Sequence, residues 1–245
     1  MAFVVARGAR FHTVELGTSG PLVVMLHGLF TGSVASWYLT VAPLLAARCR
    51  IRLIDWRGHG LSERTPSGYG STQMASDLDA LTADLEPFAV VGHSFGAIVA
   101  SRFALTHRDR VTRIVMVDPP LAERARPWWT SDESSQALEQ ARTAAVASRG
   151  NRRAGLALGL VEETTLLAEL EAEPALTAAD LAELARIPTL IAVGSQSRYR
   201  AVAEGMVRDQ SAMTCRVLPG GHDLHIESRR PLADVVSSFL GVADG

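Results

Sequence analysis

The 245-residue sequence has no lysine and two cysteines, and it carries no long apolar run. All 24 basic residues are arginine, against 26 acidic ones, leaving a formal net charge of −2. No excess of one sign offers a nucleic acid or an anionic membrane surface a partner. The all-arginine choice reads as GC-rich bacterial coding, which concerns source and not chemistry. No apolar stretch approaches the ~18 residues of a membrane-spanning helix. The opening MAFVVARGARF also lacks the three regions of a signal peptide. Cys49 and Cys215 lie far apart beside strand-like segments, so they read as two buried free thiols in a reducing cytoplasm. No His, Cys and carboxylate set has metal-ligand spacing, and no glycine-rich loop is shaped for a nucleotide. These shortages predict a cytoplasmic protein that uses no metal and no cofactor.

What the sequence does contain is an alternation. Six short apolar runs end in turn residues: PLVVMLHG (21–28), RIRLIDWRG (50–58), EPFAVVGHS (86–94), RIVMVDPP (113–120), PTLIAVGS (188–195) and MTCRVLPGG (213–221). Strands apolar throughout are buried on both faces, as parallel strands between helices must be. Helical patterns separate most of them: SWYLTVAPLLAAR, MASDLDALTADLE, the run after Ser94, RAVAEGMV and PLADVVSSFL. FVVARGARFHTVELG reads instead as an antiparallel edge hairpin turning at Gly8. Residues 121–185 break the alternation, being rich in Ala, Leu and Glu and reading as three or four helices. The predicted fold is α/β, a mostly parallel doubly wound sheet. Its core is expected over 1–120 and 186–245, with 121–185 as a helical cap insert.

One seam carries the chemistry. In VVGHSFGAIVA (90–100) a buried strand passes into a helix with a serine between two glycines. So tight a turn has no room for side chains two residues either side of Ser94, and it lifts the hydroxyl clear of the sheet beside the helix's first amides. LHGLFTGS (26–33) and DWRGHGLSE (55–63) likewise follow strands directly. These three stretches, in this order and spacing, resemble the α/β-hydrolase superfamily from Pro21 to the C-terminal helix. The resemblance implies Ser94 as nucleophile and the backbone amides of Leu29 and Phe95 as an oxyanion hole. It implies structural roles for His27, Gly28, Asp55, Arg57 and His59.

PGGHDLHIE (219–227) follows the last strand, where the superfamily places its histidine, so His222 is expected as the base. His225 reads as a helix-start or surface histidine. His12, His93 and His107 show no partner in the sequence. The acid departs from the pattern: Gly194-Ser195-Gln196-Ser197-Arg198 puts Ser197 where the family usually carries aspartate, and no carboxylate lies between Leu184 and Glu204. Asp118 ends the strand after the nucleophile helix, where a variant of the superfamily holds its acid. It is the expected third member, against an alternative role as a turn brace before Pro119. An aspartate introduced at 197 is then expected to change little while Asp118 fills the task.

The reading is a serine hydrolase acting on an ester, lactone or thioester of an apolar small molecule. Phe30, Trp128 and Trp129 are the candidate substrate contacts, though the two tryptophans read equally well as core aromatics. The alternatives are a biosynthetic carbon–carbon hydrolase, lyase or cyclase on the same fold, or a non-catalytic binding protein. A serine at this turn argues against epoxide or haloalkane chemistry, for which the superfamily uses aspartate.

Overall fold

The computed structural model describes residues 1–121, 129–147, 152–208 and 212–242. Eight strands form one sheet: β1 (Ala2–Ala6), β2 (Ala9–Leu16), β3 (Leu22–Leu26), β4 (Arg50–Ile54), β5 (Phe88–His93), β6 (Val111–Val117), β7 (Thr189–Gly194) and β8 (Met213–Leu218). Their order is β1-β2-β4-β3-β5-β6-β7-β8. β1 and β2 form the expected edge hairpin and β2 meets β4 antiparallel, while every pairing from β4 to β8 is parallel. The six apolar runs are all strands. β3, β5 and β7 are buried at every position, which is why they show no alternation.

Helices cover both faces. One apolar layer joins the sheet to α3 (Ser71–Leu81) and α4 (Phe95–Thr106), and α9 (Arg200–Arg208) adds Ala203 to it. The opposite layer joins it to α1 (Val34–Tyr38), α2 (Ala42–Leu45) and α11 (Arg229–Leu240). The sequence pattern SWYLTVAPLLAAR suggests one helix where the structure has two. Pro43 lacks an N–H and its ring would strike the Leu39 carbonyl, so the helix stops and restarts at Ala42.

Between β6 and β7 the described residues carry α5 (Ser131–Ala147), α6 (Arg152–Glu162), α7 (Leu166–Glu171) and α8 (Ala178–Leu184), and no strand. Leu160, Leu166 and Leu170 enter the core on the α3 and α4 side. The Glu169 carboxylate accepts from the Gly68, Tyr69 and Gly70 amides at 2.9, 2.7 and 2.8 Å, just ahead of α3, where negative charge meets the helix's positive end. Cys49 and Cys215 are free; Cys49 is buried as expected, whereas Cys215 is half-buried on the edge strand β8.

β3 lies between β4 and β5, so the chain leaves it first toward one edge and later toward the other. That reversal opens a crevice at the carboxyl ends of β3 and β5, where open α/β sheets seat their ligands.

Candidate active site

The crevice is built by three strand ends and a loop. β5 runs into α4 through Ser94, whose φ of 51° lies in the left-handed region. A Cβ on Gly92 would stand 2.4 Å from the Gly96 carbonyl oxygen, and one on Gly96 2.7 Å from the His27 oxygen. Only glycine fits on either side, and the turn therefore aims the Ser94 side chain out of the sheet. The β3 loop passes against it: a Cβ on Gly28 would lie 3.1 Å from Ser94 Cβ. Leu29 is the next residue along this loop, and Phe95 is the first residue of α4. Phe30 and Asp118 also have positive φ, 65° and 45°, so the ends of β3, β5 and β6 each hold a strained non-glycine residue. Such strain costs of order 1–3 kcal/mol per residue and gathers where geometry serves a site.

The residues singled out in the sequence meet here. His222, in the loop between β8 and α10 (Leu224–Glu227), places Nε2 3.0 Å from Ser94 Oγ and Nδ1 2.7 Å from Asp118 Oδ2. Asp118 is fully buried; its Oδ1 accepts from the Gly194 amide at 2.9 Å, and its Oδ2 from Ser197 Oγ at 2.8 Å. The position where the family usually carries its acid thus donates a hydroxyl to the carboxylate that reaches the histidine. Because the carboxylate only accepts, His222 carries its proton on Nδ1, and Nε2 presents a lone pair to the serine.

The surrounding histidines are held uncharged. Burial pushes His93 well below the ordinary histidine range, with the charges of His225 and His222 adding to the effect, and burial also lowers His225. His93 Nε2 donates to the His222 carbonyl at 2.9 Å, bracing the loop that carries the base. His225 stands at a helix start, one of its two expected places, in the first turn of α10, but it is buried and not at the surface, its ring centroid 4.4 Å from that of His93 and 5.3 Å from that of Trp37. His27 is lowered to about 4 by burial, and both its nitrogens are engaged, one with the Gly28 carbonyl and one with the Trp56 amide. Asp55 accepts from the amides of Val34 and Leu61 and from His12, tying together the start of α1, the loop after β4 and β2. Arg57 makes a buried two-pronged bond to Asp77. The partners of His12, His93 and His107 are 43, 129 and 28 residues away, or a backbone or hydroxyl group, and left no mark in the sequence.

Among the described residues, one set of possible metal ligands escaped the sequence because its members come from the end of β5 and the start of α10. His93, Asp223 and His225 offer atoms within 4.8 Å of one another. Ligands about 2.0–2.1 Å from one zinc ion stand roughly 3.4 Å apart, and His93 Nε2 is already donating to His222, so the set is too open for an ion without rearrangement.

Trp129 packs its ring 5.7 Å from that of Phe30 and donates Nε1 to Ser134 Oγ at 2.9 Å, linking the α5 region to the β3 loop. Trp128 lies outside the described residues. Tyr199 faces His222 edge-on at 5.9 Å.

The sequence profile of the alpha/beta hydrolase family matches residues 23–237. The chain belongs to this family. Among curated relatives, epoxide hydrolase B of Mycobacterium tuberculosis is 39% identical over 127 residues, covering 48% of this chain and 35% of that protein. The chain spans about a third to a half of the length of the curated relatives it matches. Among solved structures, the N-formylmaleamic acid deformylase of Pseudomonas putida S16 superposes with a TM-score of 0.75 at 25% identity, covering 96% of this chain and 99% of that one. The enol-lactonase of Burkholderia xenovorans LB400 superposes with a TM-score of 0.78 at 18% identity over 98% and 100% of the two chains, a likeness of fold. No helix among the described residues of this hydrolase-family chain is long and apolar enough to cross a membrane.

Proposed function

We propose that the chain is a serine hydrolase that cleaves a carboxylic ester, lactone or thioester through an acyl-serine intermediate, with residues 121–185 as its cap. The observation that carries this reading is the continuous relay from Asp118 Oδ2 through His222 to Ser94 Oγ, with steps of 2.7 and 3.0 Å. His222 Nε2 takes the Ser94 proton as Oγ attacks the carbonyl carbon. The imidazolium so formed is stabilised by the Asp118 carboxylate. The Leu29 and Phe95 amides receive the developing oxyanion at the helix start, where the dipole favours it. The protonated His222 then gives its proton to the leaving oxygen or sulfur. In the second half it deprotonates a water, which attacks the acyl-serine carbonyl and frees the acid. Every role in this cycle belongs to a side chain or amide of the chain, so it calls for no cofactor.

The serine also distinguishes this proposal from the name of the epoxide hydrolase relative. An alkoxide opening an epoxide would leave an ether, which has no carbonyl for water to attack. A carboxylate nucleophile would leave a hydrolysable ester. The full-length likeness to a deformylase adds N-formyl amides to the substrates worth testing, since the same acyl-serine chemistry reaches them.

The test is a panel of graded esters, lactones, thioesters and one N-formyl amide, with rapid quenching and intact-mass detection. Turnover with an acyl adduct on Ser94 supports the proposal. Turnover without any adduct on a slow substrate favours proton-transfer chemistry on the same residues.

A further inference from the structure

The Asp118 carboxylate is fully buried, and among the described residues its one ion-pair partner is His222. A buried carboxylate with no second cation beside it strongly favours a proton on the imidazole it touches. Three groups donate to it, and unevenly. The Gly194 amide alone reaches Oδ1, at 2.9 Å, whereas Oδ2 receives both Ser197 Oγ at 2.8 Å and His222 Nδ1 at 2.7 Å. The hydroxyl and the imidazole therefore draw on the charge of the same oxygen.

Ser197 is held in the donating sense. A carboxylate can only accept, so the hydroxyl proton points at Oδ2. The Tyr199 amide, which can only donate, bonds the same Oγ at 3.1 Å. The Ser197 amide in turn donates to the Gly194 carbonyl at 3.0 Å. One short turn thus fixes two of the carboxylate's three donors.

The other ionisable groups around His222 leave Asp118 as its dominant charge. The His93 ring, at the end of β5, lies 4.8 Å from that of His222, and burial keeps both His93 and His225 of α10 uncharged. Tyr199, just before α9, is pushed up by burial and stays neutral. Arg198 lies over the Tyr199 ring and pairs with Glu133 of α5 at 3.4 Å, which offsets its charge. Asp223 has a side chain 56% exposed, where solvent screens it, and Glu227 is engaged by the Gly221 amide.

We propose that Ser197 is a positioning residue whose hydroxyl, by drawing charge off Asp118 Oδ2, keeps His222 from taking up a proton before Ser94 supplies one. The inference rests on the proposed relay, and it concerns the pH at which the base is ready. Ser197 stands where the family usually carries its acid, so that position still acts on the histidine, through Asp118.

The experiment is a pH titration by NMR of the full chain carrying isotopically labelled histidine, with the His222 signal among the seven assigned by its absence in His222→Gln. It needs no substrate. Ser197→Ala is expected to raise the midpoint of the His222 transition by about 0.5–1 pH unit, a three- to tenfold gain in proton affinity. Ser197→Thr, which keeps the hydroxyl, is expected to titrate like the native chain. Ser197→Cys, close in shape but a weak donor, gives the upward shift should the alanine variant fail to fold. A hydroxyl that only braces the loop predicts the opposite sign, since a loosened carboxylate holds the imidazolium less well. An unchanged or lowered midpoint in the folded alanine or cysteine variant would overturn the proposal, as would a threonine variant that titrates like the alanine one. On any ester that is turned over, the acid limb of kcat/KM should move with the same midpoint. If the native chain turns over none, the hydrolase reading fails while the titration still decides this one.

Discussion

Replacing Asp118 by Asn tests the relay at its most buried link. In the protein the carboxylate takes three hydrogen bonds: from the Gly194 amide, Ser197 Oγ and His222 Nδ1. The amide's oxygen can keep the Gly194 bond, but its NH₂ then occupies the place of Oδ2. Ser197 can turn its hydroxyl to accept. His222 can meet an NH₂ only by accepting at Nδ1, which moves its proton to Nε2, where it can no longer receive the serine's. In the best-studied triad this tautomer error costs roughly 10⁴ in kcat, or about 5 kcal/mol of barrier. Removing a buried charge-assisted bond should cost roughly 2 kcal/mol of stability as well, so a melting curve belongs beside the kinetics. The expected result is a folded protein with KM little changed and kcat down by three to four orders of magnitude. A loss below about tenfold in a folded variant would make Asp118 a turn brace before Pro119 and refute the reasoning.

The 2.8 Å bond from Ser197 to Asp118 Oδ2 revises what an aspartate at 197 should do. Ser197→Asp sets a second carboxylate against the first, where both cannot ionise freely, so the single variant should lose activity and shift its pH–rate profile, while in the Asp118→Asn background it should restore part of kcat. Acid should destabilise the fold through His27 and His59, lowered by burial to about 4 and about 3. Their folded values lie below the unfolded one, so the unfolded chain binds more protons, and their stabilisation is complete above about pH 6.5 and drains as pH falls. Each should lose roughly 2 kcal/mol by pH 5, visible as a falling urea midpoint, and a flat midpoint between pH 7 and 5 would contradict it. Trp129→Ala should change KM or substrate preference more than any acyl-transfer step shared by all substrates. An equal loss on every substrate with a lower Tm would mark Trp129 as core.

The sheet was legible because its inner strands β3, β5 and β7 are buried on both faces and so leave continuous apolar runs. Ser94 was legible because a turn that closes on Gly92 and Gly96 leaves its glycines in the sequence. His222 followed from its place after the last strand. Asp118 emerged mainly by the emptiness of the usual place, and only the fold shows Ser197 turned onto it. What the sequence could not show are contacts made across the chain. His12 meets Asp55 over 43 residues and His93 meets the His222 carbonyl over 129, with no local pattern to announce either. The helix start at His225 was legible but its burial was not, for the same reason, since a short helix start looks exposed until Trp37 and His93 close over it. The break between α1 and α2 was missed although its cause, Pro43, stood in the sequence.

The most direct measurement of the central claim is fluorophosphonate labelling of the intact protein, read by peptide mass spectrometry, since only a serine with an activated hydroxyl reacts at a useful rate. The account predicts one adduct on Ser94, formed quickly in the native chain, slowed by orders of magnitude in Asp118→Asn and absent in Ser94→Ala, with ester turnover lost in parallel. Unlabelled Ser94 in a folded protein, or turnover persisting near its native rate in Ser94→Ala, would contradict it.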